Sequence, residues 1–225
     1  MTVIVFDVNG TLLDLAGLDE PFEEVFGGRA AELKRLWFAR LVHTASVLTT
    51  LGSWQDFGVV GRAVLADVAA VAGVPISTAD ADRVLGAMTG LPAHPDVAQG
   101  LTRLREAGAD LVALTNSGQR TAEAQLAAAG IDGHFDRIMS VDAVLRFKPD
   151  RAVYDHCRDQ VGARTGDLLM VAAHDWDCAG AMRAGWRSGF LERPGQSYNA
   201  LLQPATYRAP DLVALAEVLI TDRVV

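Results

Sequence analysis

A four-residue apolar run, Val3-Ile4-Val5-Phe6, ends in a carboxylate, Asp7, and the next predicted strand does not begin until Asp110. It is too short for a helix and β-branched enough for a buried strand. Most of the intervening chain, roughly 18–88, has helical character instead. From 96 onward helix and strand alternate: helices are predicted at 96–107, 119–129, 151–161, 178–184 and 212–219, and strands at 110–114, 137–139, 168–171 and 187–191. Such alternation implies a parallel sheet with right-handed crossovers. The opening strand joins that sheet, so the helical region is an insertion after it. The expected fold is a Rossmann-like α/β core (1–14 and 94–225) with an inserted helical cap (15–93) over the carboxyl ends of the strands. Between them, Leu91-Pro92-Ala93-His94-Pro95 breaks the helical pattern and reads as a hinge.

Within the insertion, 30–51 is apolar on more than one face: Leu33, Leu36, Trp37, Phe38, Leu41, Val42, Val47 and Leu48. Neighbours or a second subunit must cover such a helix, and a homodimer with cap packed on cap is expected. The net charge of −8 and pI near 5.0 argue against nucleic acid or an anionic membrane as partner. Cys157 and Cys178 are too few for a disulfide framework and read as buried, reduced thiols. No apolar stretch reaches membrane-spanning length, and the first residues form a strand rather than a leader. A soluble, cytoplasmic protein is expected.

Asp7 stands at the carboxyl end of its strand, where open α/β sheets place their ligands. A carboxylate freed from ladder hydrogen bonding there can be a nucleophile. Three further polar points follow at strand ends: Thr115-Asn116-Ser117, then Lys148 after Phe147, then His174-Asp175-Trp176-Asp177. Each has a plain alternative. Asp7 could cap a turn, Lys148 could be a solvated loop lysine, and Asp177 could N-cap the helix at 178–184. Trp176 could simply pack on the sheet, and His174 could pair with Asp175. Together, in this order and spacing, they are far more specific. His43, His94, His134 and His156 are isolated, and no His/Cys cluster has the spacing of a zinc site.

The series resembles the haloacid dehalogenase superfamily of hydrolases, and within it the (S)-2-haloacid dehalogenases. The similarity is carried by 6–14, 114–119, 140–154 and 170–185. It implies a two-step hydrolysis of a short 2-haloacid, with no metal or other cofactor. Asp7 would displace halide and form an ester on its own carboxylate, and water would then cleave that ester. The resemblance implies that Lys148 keeps Asp7 ionised, Asp177 orients or deprotonates the water, and Thr11 braces the nucleophile. Thr115 and Asn116, at a helix start, would receive the substrate carboxylate. Asn116 and Trp176 would cradle the halide, and Tyr154 would order Lys148 and Asp177.

Most superfamily members are magnesium-dependent phosphatases with a second Asp two residues after the nucleophile, and this chain has Asn9 there. An amide cannot donate the proton a leaving alcohol requires. Ala173 stands where the first carboxylate of the metal-binding pair belongs. A halide leaves without a proton, so both changes favour dehalogenation. Against the dehalogenases themselves, Phe38 replaces a cap arginine that would touch the substrate, Ala172 replaces a serine, and His174 replaces an asparagine. Arg40 lies about 200° round the helix from Phe38. His174 could restore a positive charge when protonated or act as a base when neutral. The rivals are another superfamily hydrolase, such as a weak phosphatase or an enzyme for a different small anion, and a silent binding homologue.

Overall fold

The structure, a computed structural model, describes residues 2–225. Strands β1 (Val3–Phe6), β2 (Asp110–Thr115), β3 (Arg137–Ser140), β4 (Leu168–Ala172), β5 (Arg187–Leu191) and β6 (Tyr207–Ala209) form one sheet in the order β3-β2-β1-β4-β5-β6. Every pairing is parallel. Val3 to Phe6 are buried throughout, as a central strand covered on both faces requires. The chain leaves β1 to one side for β2 and β3 and then crosses back to place β4 on its other side. That makes its carboxyl end a topological switch point, where side chains can enter a crevice.

Helices α1 (Asp19–Phe26), α2 (Ala30–Thr50), α3 (Phe57–Ala72) and α4 (Thr78–Ala87) all fall between β1 and β2 in the chain. They have a common apolar interior. Trp37 packs against Phe22 with ring centroids 5.6 Å apart and donates its indole N–H to the Gly61 carbonyl at 2.9 Å. On α2 the buried stripe is Ala30, Leu33, Trp37, Leu41 and Ala45, at helical spacing. Val42 and Phe38 turn toward the crevice, which accounts for part of this helix's second apolar face.

The remaining helices, α5 (Val97–Glu106), α6 (Gln119–Ala128), α7 (Arg151–Val161), α8 (Asp175–Arg183) and α9 (Leu212–Thr221), flank the sheet. Helix α3 starts at Phe57, because the Asp56 carboxylate accepts from the Gly58 and Val59 amides and fixes its first turn. The three-residue strand β6 was not expected; it is too short to show a period. Helix α8 begins three residues earlier than predicted, and its N-cap is His174. Asp177 therefore lies inside the first turn of α8 and does not cap it, a change that aims its carboxylate under the sheet's carboxyl edge.

The helical insertion is clasped to the sheet beside Lys148. Thr49, near the end of α2, accepts from Arg146 through its carbonyl at 2.6 Å and from the Phe147 amide through Oγ1 at 3.0 Å. Trp54 stacks on Phe147 at 4.6 Å. Glycine is needed where α8 crosses α7: a Cβ on Gly180 would sit 2.5 Å from the Tyr154 hydroxyl.

Candidate active site

Three buried charges meet at the end of β1. The Asp7 amide still donates to Val171 at 3.0 Å, so the last ladder bond anchors the backbone while the side chain leaves the sheet. Lys148, only 1% exposed, sends Nζ to Asp7 Oδ1 at 2.7 Å, Asp177 Oδ2 at 2.7 Å and the Leu114 carbonyl at 2.8 Å. All three ammonium protons are thereby used. Thr11 donates to Asp7 Oδ2 at 2.6 Å and accepts from the Ala173 amide at 2.9 Å. Tyr154 donates to Asp177 Oδ1 at 2.7 Å. Each carboxylate oxygen of both aspartates thus has a partner.

The two aspartates differ in acidity. Burial pushes Asp7 up, but the charges of Lys148 and His174 and the bonds from Lys148 and Thr11 overcome it, leaving Asp7 below the ordinary carboxylate value. Burial also pushes Asp177 up, and the nearby Asp7 charge adds to this. Lys148 does not fully compensate, so Asp177 lies above the ordinary value. Burial alone would lower Lys148; the charges of Asp177 and Asp7 raise it instead, and it stays an ammonium.

Above this layer is a cavity of about 20 Å³, room for roughly one water, lined by Asp7, Asn9, Phe38, Val42, Phe57, Thr115, Asn116, His174 and Trp176. Asn116 accepts from the Lys148 amide through Oδ1 at 2.9 Å, which leaves its amide hydrogens for another acceptor. Asn9 is held on both sides, by Gln125 Nε2 donating to Oδ1 and by its own Nδ2 donating to Ser117 Oγ, each at 2.9 Å. His174 Nε2 lies 3.0 Å from the Asn9 backbone carbonyl and 3.7 Å from Asp7 Oδ2. Its ring is stacked on Trp176 at 5.1 Å and faces Phe38 at 5.7 Å. Gly10, at φ +79°, makes the turn beneath it, and a Cβ there would approach the imidazole to 3.2 Å.

Comparison with known proteins gives the family of this fold. Residues 1–185 match the family model of the haloacid dehalogenase-like hydrolases. The chain belongs to that family. It is 25% identical over 218 residues to an (S)-2-haloacid dehalogenase of Pseudomonas sp. (strain YL), covering 97% of this chain and 94% of that one. With (S)-2-haloacid dehalogenase 1 of Pseudomonas sp. (strain CBS-3) the identity is 28% over 216 residues, covering 96% and 95%. A crystal structure of an L-2-haloacid dehalogenase superposes with a TM-score of 0.93 at 26% identity, covering 97% and 98%.

Within this hydrolase the predicted residues fall into two layers. Asp7, Thr115, Asn116, Phe38, His174 and Trp176 line the cavity; Thr11, Lys148, Tyr154 and Asp177 lie around and beneath Asp7 and are not part of its lining. Asp177 connects to Asp7 through Lys148. Two expectations change. Thr115 is the last residue of β2 and its Oγ1 accepts from the Ser117 amide, while α6 starts only at Gln119; Thr115 and Asn116 are therefore not at a helix start. His174 does not pair with Asp175, whose oxygens take the Trp176 and Asn199 amides.

The family's magnesium chemistry does not fit these residues. Both oxygens of Asp7 are taken by Lys148 and Thr11, and both of Asp177 by Lys148 and Tyr154. The Asn9 oxygen faces Gln125, and Ala173 offers a methyl group. A hard divalent cation needs several free oxygens. Among the described residues, no group of three or more His, Cys, Asp or Glu is placed to supply them.

Two participants, Gln125 and Arg193, escaped the sequence, and a third, Ser117, had no role there. Gln125 and Ser117 fix Asn9, and Arg193 holds the loop of Thr11 by donating to its carbonyl at 3.0 Å and to Asp96 at 2.6 Å. Gln125 had a detectable signal: it is a polar residue on the buried face of α6, beside Ala122 and Leu126.

Proposed function

We propose that this hydrolase cleaves carbon–halogen bonds, converting short 2-haloalkanoic acids to 2-hydroxy acids and halide through an ester on Asp7. The observation that carries it is the Asp7–Lys148–Asp177 set beside an amide, Asn9, held where a proton donor would be needed for a phosphate ester. The names of its dehalogenase relatives support the same chemistry.

An Asp7 oxygen attacks the halogen-bearing carbon in line. The new C–O bond forms as the C–X bond breaks, halide leaves with the electron pair, and the carbon inverts. Lys148 and Thr11 keep Asp7 charged and oriented inside a dry pocket. Asn116, with its amide hydrogens free, and Trp176 line the place where halide would collect. Water then adds to the Asp7 ester carbonyl and gives a proton to Asp177. The acyl–oxygen bond breaks, the departing alkoxide takes the proton back from Asp177 to leave as the 2-hydroxy acid, and Asp7 releases the second water proton to become a carboxylate again. Tyr154 holds Asp177 in place. The raised Asp177 value suits a base.

We also propose 15–93 as a cap over a core of 1–14 and 94–225, and a homodimer through the apolar surface left around the end of α2, where Leu51 is 71% exposed and Val59 54%. Light scattering showing only monomer at micromolar concentration would refute the dimer. No described helix is long and apolar enough to cross a membrane, and both thiols are buried and free; a reducing cytoplasm suits them.

The deciding experiment is halide release from (S)- and (R)-2-chloropropionate and from chloroacetate, with EDTA or Mg²⁺ added. EDTA-resistant release that Asp7→Asn abolishes supports the proposal. Magnesium-dependent cleavage of p-nitrophenyl phosphate without halide release would overturn it, as would activity surviving Asp7→Asn.

A further inference from the structure

The cavity presents an anionic substrate with an electrostatic problem. Asp7 is a carboxylate, and a 2-haloacid brings a second one. Among the described residues lining the cavity, Asn9, Phe38, Val42, Phe57, Thr115, Asn116 and Trp176 are all neutral. Lys148 lies beneath the floor with its three protons already donated. The single lining side chain that can become a cation is His174.

Its hydrogen bonding decides what each protonation state offers. Nε2 faces the Asn9 carbonyl at 3.0 Å, and a carbonyl can only accept, so Nε2 carries a proton in either state. Nδ1 has no hydrogen-bond partner among the described residues. Neutral His174 therefore has a lone pair at Nδ1, which repels an anion, whereas imidazolium has an N–H there, which binds one. Imidazolium also suits its surroundings: Asp7 Oδ2 lies 3.7 Å from Nε2, and the Trp176 ring is stacked on it with 10° between planes. Asp7 is the charged group facing the ring. Asp175 points its oxygens to backbone amides, and α2 contributes the uncharged Phe38.

We propose that His174 supplies the substrate-binding cation of this enzyme, so that binding of a small carboxylate is coupled to uptake of one proton at Nδ1. This rests on the dehalogenase activity proposed above, and it puts the cation on the sheet side of the cavity, not on the helical insertion.

The test uses propionate, which has the carboxylate and no leaving group. Calorimetric titrations of the wild-type protein, in buffers of different ionisation enthalpy, should show close to one proton taken up per propionate at alkaline pH. Affinity should weaken there by about tenfold per pH unit. In His174→Asn the proton uptake should vanish and affinity become flat with pH. Phe38→Arg in that background, at the residue whose ring centre lies 5.7 Å from that of His174, should restore affinity without pH dependence. Wild-type binding with no proton uptake, or flat with pH, overturns the proposal whether or not the variants fold. Halide release is read in parallel. Proton-coupled binding without turnover of any haloacid would sink the dehalogenase assignment and leave the His174 cation intact; turnover with pH-flat binding would do the reverse.

Discussion

Gln125 Nε2 reaches the Asn9 side-chain oxygen at 2.9 Å and the Met88 carbonyl at 2.7 Å. The Met88 carbonyl can only accept, so the Gln125 nitrogen must face it, and Asn9 must then turn its oxygen to Gln125 and its amide hydrogens to Ser117. One residue on α6 thus sets the orientation of the amide beside the nucleophile and ties it to the end of the helical insertion. Gln125→Met would leave two buried oxygens unpaired and should destabilise the protein by about 2–6 kcal/mol, at roughly 1–3 per unpaired group. Gln125→Glu, with no N–H to donate and a charge to bury, should cost more. Urea unfolding at pH 7 measures both, and a Gln125→Glu variant as stable as wild type would show that the network is dispensable.

Asp177 and Asp7 should lose their charges in a fixed order on acidification. Asp177 lies above the ordinary carboxylate value and Asp7 below it, so Asp177 protonates first. Over that interval, on the proposed mechanism, Asp7 can still form its ester while Asp177, the base for hydrolysis, is neutralised. Acid-quenched enzyme should then carry the mass of the substrate acyl fragment, in larger amount at mildly acidic pH than at neutrality. Asp177→Asn should hold the same adduct at every pH and slow turnover by about 10²–10⁴-fold. Intact-protein mass spectrometry reads both. An adduct that declines on acidification would mean that Asp7 titrates first.

The contact between Thr49 and Phe147 links the helical insertion to the residue preceding Lys148. Thr49→Val removes the hydroxyl that accepts from the Phe147 amide but leaves the backbone carbonyl that accepts from Arg146. Global stability should fall by only about 1 kcal/mol. Amide exchange at Phe147 and Lys148 should accelerate more than in the β1 strand. Uniform acceleration across the sheet would place the effect in global unfolding instead.

The sheet was legible because its central strands have the composition of doubly covered strands, and alternation with helices leaves few ways to order them. The polar residues at strand ends were legible for the same reason: Asp7, Asn116, Lys148 and Asp177 interrupt apolar runs at positions that topology brings together. The network around Asn9 was not. Gln125 meets it across a long stretch of chain, and no local pattern records that a buried amide has another amide to face. The start of α8 was misplaced because Asp177 has the chemistry of an N-cap, whereas His174 occupies that position without a side-chain cap bond. Of the families of contacts at the site, those along one strand end could be anticipated, and those between elements could not.

Arg193 is the strongest case of such a contact. It is 6% exposed, donates to the Thr11 carbonyl and to Asp96, and Asp96 in turn receives the Leu212 amide. The loop that braces Asp7 is thereby joined to the start of α5 and the start of α9. Burial raises Asp96, but the bonds from Arg193 and the Leu212 amide outweigh it, and the carboxyl lies below its ordinary value. A depressed value means that the stabilisation is complete above the unfolded-state value of about 3.9 and is lost as pH falls through the folded-state value. Arg193→Met should therefore cost about 2–3 kcal/mol at pH 7, where Asp96 is left charged without its guanidinium. The gap between wild type and variant should narrow progressively below pH of about 4. Denaturant titrations of both proteins along a pH series test this, and a gap that stays constant into acid would assign the loss to packing of the arginine stem instead of to its charge.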